Sequence, residues 1–257
     1  MRVVIAIPAR IGSTRLPAKA LAEIGGEPMI VRVWRRCTRV RGAARVLVAT
    51  DDQGIADAVR AAGGEAILTG EHASGTDRIA AAVLGDPCDL VVNVQGDEPF
   101  LDPASVETLV DSFTGAAAQE AATLAAPVRA AGELYEPSVV KVLVGRDGYA
   151  VSFSRHPIPW REGLWDVAPE GWRRPVLPVD PAGYLRHIGT YGYRAGFLQE
   201  FTRLEPTPGE RSERLEQLRI LEHGRRIRVT VVAEAGLAVD TAEDLAEARR
   251  RAARETT

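Results

Sequence analysis

The feature that most constrains this chain is an alternation. Short apolar runs recur through its first half, and each is followed by a stretch of helical periodicity. The runs fall at Val3–Ile7, Arg45–Ala49, the EAILT segment after Gly63-Gly64, and Leu90–Val94. A continuous apolar run suits a strand covered on both faces. Strands that alternate with helices are joined by crossovers into a parallel sheet. Pro8 is expected to end the first strand, because proline has no backbone donor. Helices are expected from about Pro28 to Val40, over IADAVRAAG, and over 78–84. In the first of these Met29, Ile30, Val33, Trp34 and Cys37 share one face.

The loops at the carboxyl ends of these strands carry the chemistry, since open parallel sheets bind ligands there. After the first strand, Gly12, Ser13 and Thr14 stand among the cations Arg10, Arg15 and Lys19. A short loop rich in N–H groups, hydroxyls and positive charge is an anion cradle, and phosphate is the usual anion. The spacing matches neither a Walker loop nor a G-x-G-x-x-G fingerprint. Of 32 basic residues only Lys19 and Lys141 are lysines. A lysine kept in so arginine-rich a chain suits a compact point charge rather than a fork. After Leu90–Val94 come Gln95, Gly96, Asp97 and Glu98. A glycine and two carboxylates at a strand end are a common way to hold a hard cation against a phosphate. Asp51 and Asp52 read equally as ligand contacts or as helix caps. Ser74 to Asp77 form a polar loop that either caps the next helix or presents backbone groups to a base edge.

The alternation loosens after about residue 122. ATLAAPVRA and VVKVLVGRDGYAVSFSR read as longer strands, the latter turning at Arg146-Asp147-Gly148. An irregular segment, 161–183, is dense in Pro, Gly and Trp. With Trp160, Trp165 and Trp172 it reads as a lid or an oligomer contact. A strand and helix over YLRHIGTYGYRAGFLQEF come next, then a helix over PTPGERSERLEQLRILEHG, a last strand over RIRVTVVAE, and a terminal helix capped by Asp240 or Thr241. The reading is one domain, 1–257, with a sub-region at roughly 125–200. A net charge of −3 leaves no basic footprint for nucleic acid. Cys37 and Cys88 make neither a disulfide framework nor a metal knuckle. No apolar stretch approaches the roughly 20 residues of a membrane span, and no signal peptide opens the chain. A soluble cytoplasmic protein is the expectation.

IPARIGSTRLPAK, VATDD, SGTDR, VNVQGDEP, VKV with FSR and PIPW, RHIGTYGYRAGF, LEQLR and VDTAEDL occur in succession. Together they resemble the 3-deoxy-manno-octulosonate (KDO) cytidylyltransferases, or CMP-KDO synthetases, across essentially the whole chain. The resemblance implies a Rossmann-like three-layer α/β/α sandwich of the nucleotide-diphospho-sugar transferase (glycosyltransferase-A-like) type. It implies a cytoplasmic homodimer of lipopolysaccharide biosynthesis, with the 125–200 sub-region serving sugar binding and dimerisation. The implied reaction is CTP plus KDO to CMP-KDO plus pyrophosphate, with Mg2+. Arg10, Ser13, Arg15 and Lys19 would hold the triphosphate, and Ser74, Asp77 and Arg78 would lie at the cytosine. Asp97 and Asp240 would bind magnesium and, with Lys19, form the catalytic set. Gln95, Arg155, His187, Tyr191, Glu216 and Gln217 would surround the sugar acid. The chain departs from the pattern at Ser138, at His156 and in the long segment 161–185, all on the sugar side. A cytidylyltransferase for another acidic sugar, amino-KDO or sialic-acid-like, and a catalytically silent homologue are the alternatives.

Overall fold

The computed structural model describes residues 1–12, 16–115, 119–161, 165–167, 173–175 and 182–255. The chain divides into two compact units. The first comprises Met1–Ala122, Gly189–Arg203 and Ala235–Thr257, and the second Thr123–Ile188 and Leu204–Glu234. The second unit therefore differs in its limits from the expected 125–200. It takes in 204–234 and leaves the 189–203 strand and helix with the first.

In the first unit four parallel strands lie in the order Leu90–Asn93, Val3–Ala9, Ala43–Thr50, Glu65–Leu68. The Tyr191–Arg194 half of the strand Leu185–Arg194 adds antiparallel beside Leu90–Asn93. Val4, Ile5, Ala6, Ile7, Leu47, Val48, Leu90, Val91 and Val92 are fully enclosed, as continuous apolar runs demand. The helices Met29–Cys37 and Gln53–Ala61 connect strands that step one way across the sheet. The helix Gly75–Ala82 leads to a strand on the far side of the first. Because parallel crossovers are right-handed, that reversal sends the third helix to the opposite face. The result is the expected α/β layering, with a point beside Val3–Ala9 where the strand order turns back.

Two boundaries differ from the sequence reading. Pro8 does not end the first strand, which runs on to Ala9 opposite Thr50. The Ala6 carbonyl accepts from Val94 N–H on the Leu90–Asn93 side. Alternation turns the missing donor of Pro8 the same way, past the last residue of that strand, so no ladder bond is lost. The third helix starts at Gly75, not at residue 78, with Ser74 as its cap.

In the second unit Lys141–Val144 and Ala150–Ser154 form an antiparallel hairpin around Gly148. Residue Arg186 stands opposite Lys141 on the other side of that hairpin. The expected single helix over 206–224 is two short ones, Pro208–Glu213 and Gln217–Glu222. Arg214, at φ 52°, is left-handed and breaks the run. That turn is held by the Arg155 side chain, whose Nε donates to the Glu213 carbonyl (2.7 Å) and Nη2 to that of Arg214 (3.3 Å). Of the Trp-rich segment only two paired strands, Trp165–Val167 and Arg173–Pro175, are described. Trp172 lies outside the described residues, so the lid or contact reading is untouched.

Candidate active site

The point where the strand order reverses is where α/β sheets place ligands, and a cleft of about 310 Å³ opens there in the first unit. Pro8, Ala9 and Arg10 reach it from the end of the first strand, and Gln95, Gly96 and Asp97 from the end of the fourth. His72, Ser74, Gly75 and Arg78 come from the start of the third helix, and Lys19 and Asp240 complete it. Two glycines allow this convergence. A Cβ on Gly96 would lie 2.9 Å from the Pro8 carbonyl oxygen, and one on Gly75 would lie 3.1 Å from Pro8 Cγ. At Gly96 only a residue without a side chain fits so close, and at Gly75 a side chain would need the Pro8 ring to give by a few tenths of an ångström.

Lys19 enters the cleft from a short 3-10 turn, Lys19–Leu21. Ala18 precedes it in the left-handed region at φ 52°, a conformation costing about 1 kcal/mol in a residue with a Cβ. The turn is pinned by Leu21 N–H to the Ala18 carbonyl, 2.9 Å. Lys19 Nζ donates to Asp97 Oδ2 at 2.7 Å and to Asp240 Oδ1 at 2.9 Å. Burial alone would push the Lys19 ammonium down. The charges and hydrogen bonds of Asp97 and Asp240 outweigh it, and the net displacement is upward.

Asp240 owes its place to the backbone. Val239 N–H donates to the Asp97 carbonyl at 2.9 Å, which sets the two carboxylates side by side. The helix Ala242–Glu255 is capped by other groups. Thr241 Oγ accepts from Asp244 N–H (3.1 Å), and Asp244 Oδ2 accepts from the N–H groups of Asp240 (3.0 Å) and Thr241 (2.8 Å). The question of which residue caps is thus settled for Thr241. The Asp240 side chain is directed at Lys19.

Arg78 is buried and braced, donating to Asp51 Oδ2 at 2.5 Å and to Thr69 Oγ at 2.7 Å. The two acids after the second strand divide their work. Asp52 Oδ1 accepts from Ile55 N–H at 2.8 Å as a helix cap, and Asp51 positions Arg78. Ser74 Oγ accepts from Asp77 N–H and donates to Asp77 Oδ2, both at 3.0 Å, which fixes Asp77 as the partner of the cap. Glu98 does not join Asp97 at the cleft. It is buried in the turn where its N–H meets the Gln95 carbonyl, so the expected pair of carboxylates at this strand end reduces to one. Ser13 and Arg15 lie outside the described residues.

The expected sugar-side residues divide between the units. Gln95 lines the cleft and donates to the Gly189 carbonyl at 3.2 Å. Tyr191, also in the first unit, is buried and stacks on Tyr193 at 5.6 Å. Arg155, His187, Glu216 and Gln217 belong to the second unit. Arg155 gives three donors to the carbonyls of Pro137, Glu213 and Arg214, so much of its hydrogen-bonding capacity braces the chain. Thr123 Oγ donates to the Ile188 carbonyl and lies 3.0 Å from His187 Nε2. Part of His187 reaches the surface, but enclosure of the ring pushes its pKa down to about 3. Gln217 is buried, and its Nε2 has no hydrogen-bond partner among the described residues. Lys141, the other lysine, is fully buried and donates to the Val139 (2.6 Å) and Glu136 (3.3 Å) carbonyls. Burial brings it down to about 8, against the opposing pull of Glu136 and Glu213.

Sequence reading missed His72, Asp51 as a brace, and the Val239 bond to Asp97. His72 had a signal, its place in the polar loop before Ser74. The backbone bond had none.

The family model described as cytidylyltransferase matches residues 4–227 of this chain. Finer comparisons agree. A 3-deoxy-manno-octulosonate cytidylyltransferase of Trichlorobacter lovleyi is 43% identical over 98% of both chains. One of Photorhabdus laumondii is 46% identical over 96% of this chain and 97% of its own. A solved CMP:2-keto-3-deoxy-manno-octonic acid synthetase, complexed with CTP, superposes with a TM-score of 0.88 at 42% identity, covering 99% of this chain and 100% of that one. The chain belongs to the 3-deoxy-manno-octulosonate cytidylyltransferases, a family of nucleotidyltransferases.

Proposed function

We propose that this chain transfers CMP from CTP to the anomeric hydroxyl of KDO, releasing pyrophosphate and CMP-KDO. The near-full-length identity to relatives bearing that one name carries the reading. The chemistry of the cleft supports it. The nucleophile is a substrate hydroxyl, so catalysis asks for positioning and charge neutralisation rather than a nucleophilic side chain. Arg10 and Lys19 meet the triphosphate as cations, with Ser13 and Arg15 assigned to the same loop from sequence. Arg78, held by Asp51, and the Ser74–Asp77 cap present polar groups to the base.

Asp97 and Asp240 are the assigned magnesium ligands. The described residues contain no cluster of three or more His, Cys, Asp or Glu side chains that could hold a metal. A magnesium ion bound through phosphates needs only one or two carboxylates. The fit is good, because oxygens of both acids already converge on one cationic nitrogen. When bound there, the ion would neutralise phosphate charge and polarise the reacting oxygens. Gln95, Arg155, His187, Tyr191, Glu216 and Gln217 are assigned to the sugar acid. Gln217 suits that role, since its buried Nε2 is a donor with no partner among the described residues.

No helix of the described residues is long and apolar enough to cross a membrane. We assign the chain to the cytoplasm and to lipopolysaccharide precursor synthesis as a homodimer, the last to be read by sedimentation at micromolar concentration. The test of the activity is pyrophosphate release with each of the four nucleoside triphosphates against a panel of sugar acids. CTP with KDO is expected to give the highest kcat/KM. A preference for another acid would change the substrate, and no release with any acid would remove the reading.

A further inference from the structure

Lys19 occupies the position between the two carboxylates that a divalent ion would need. Its ammonium touches an oxygen of each, at 2.7 and 2.9 Å, and its side chain is only 15% exposed. A magnesium ion bound to the same oxygens would sit about 2.0–2.1 Å from them. Two cations do not share that space. We propose that Lys19 is a resident counter-ion that excludes the metal until a polyphosphate draws it away. The inference rests on the assignment of Asp97 and Asp240 as metal ligands.

The physical reason is a single exchange of partners. Two partly buried carboxylates lie side by side, fixed by the Val239–Asp97 backbone bond. Like charges so placed repel unless a cation lies between them. Lys19 supplies that cation from within the chain. Bringing in a divalent ion means moving the ammonium from two charge-assisted bonds to water. A triphosphate changes the balance. Its oxygens offer Lys19 an equivalent partner next to the cradle and offer the metal further oxygen ligands. Metal and nucleotide therefore enter together, and the metal alone binds weakly. Lys19 acts twice, first as a place-holder that keeps the acids in register and then as a phosphate ligand.

The experiment omits nucleotide, so its outcome is independent of the pyrophosphate assay. Free Mn2+ is followed by electron paramagnetic resonance as it is titrated into the wild-type chain, Lys19→Met, and Lys19→Met/Asp97→Asn. Lys19→Met is expected to bind Mn2+ about tenfold tighter than wild type, even though it weakens CTP use. The double variant is expected to lose that gain. A Lys19→Met variant that binds Mn2+ no tighter than wild type overturns the proposal. A second measurement uses the wild-type chain alone and covers the case of a misfolded variant. Only two lysines are present, and Lys141 is fully buried. Amine labelling located by mass spectrometry therefore reads Lys19, apart from the N-terminus. Millimolar Mn2+ without nucleotide is expected to raise the Lys19 labelling rate several-fold. Saturation with Mn2+ at an unchanged rate would mean that ion and ammonium do not compete.

Discussion

Asp240 and Thr241 stand next to each other, and the structure gives them unrelated jobs, so the pair offers a sharp test. Thr241→Ala removes the hydroxyl that accepts from Asp244 N–H at 3.1 Å and donates to Asp244 Oδ2 at 2.9 Å. Loss of a threonine cap costs about 1 kcal/mol. The helix it starts buries Leu245, Ala248 and Ala252, so fraying at this end reaches packed side chains. In a chain of this size about 1 kcal/mol lowers Tm by roughly 2–4 °C. Turnover at a permissive temperature should stay within about twofold of wild type. Asp240→Asn does the opposite. The backbone N–H of Asp240 still reaches Asp244, and the contact with Lys19 changes. That carboxylate is 33% exposed, so solvent screens part of its pairing with Lys19, and Lys19 keeps Asp97 as a second partner. Tm should barely move. Turnover should fall at least about 100-fold at saturating magnesium, the loss typical of removing one preorganised electrostatic contact to a transition state. Thermal unfolding by circular dichroism and pyrophosphate release together give both numbers. If Asp240→Asn lowers Tm as much as Thr241→Ala does while turning over normally, Asp240 is a helix-end residue and the cleft has one acid.

Three further outcomes are expected from other parts of the chain. Lys19→Ala should raise the CTP KM far more than Arg39→Ala, a surface change just past the first helix; similar effects in steady-state kinetics would dissolve the phosphate cradle. Gly96→Ala forces a Cβ to within 2.9 Å of the Pro8 carbonyl oxygen, and overpacking of this kind costs about 1–3 kcal/mol; urea unfolding should show that loss together with weakened Mn2+ binding. For His187 the folded pKa is depressed to about 3, so below an unfolded value of about 6.5 the unfolded chain binds the extra proton and the folded chain does not. Stability contributed by the neutral ring is present above about pH 6.5 and falls by up to about 1.4 kcal/mol per pH unit down to about pH 3. The difference in urea midpoint between wild type and His187→Gln should narrow across that window, and a pH-independent difference would place the ring in water.

The parallel core was legible because nothing but double-sided burial calls for runs such as Val3–Ile7 and Leu90–Val94. The strand ends were legible too, and with them Lys19, Asp97 and the Ser74 cap, because a sheet of this type points those ends at one crevice. Boundaries failed where a rule is local and its exception is tertiary. Pro8 stays in its strand because its missing donor faces past a neighbour's end, which the sequence of one strand does not record. The 206–224 helix breaks at Arg214, although Leu215, Leu218 and Leu221 keep helical spacing, because Arg155 holds the carbonyls on both sides of the break. Asp240 could be read as a cap or a ligand from its neighbours alone. Its place beside Asp97 is set by Asp244 and Val239, one through a side chain and one through an N–H that any residue but proline supplies.

The bond from Lys19 to Asp240 joins positions 221 apart in the chain. A contact that closes so long a loop is made late, whether in refolding or as the chain leaves the ribosome. A nascent chain ending before residue 235 already contains Arg10, Lys19 and Asp97, yet not Asp240. On the proposed roles, turnover therefore requires the stretch of chain that carries Asp240. A chain stopped before Asp240 is expected to release no pyrophosphate.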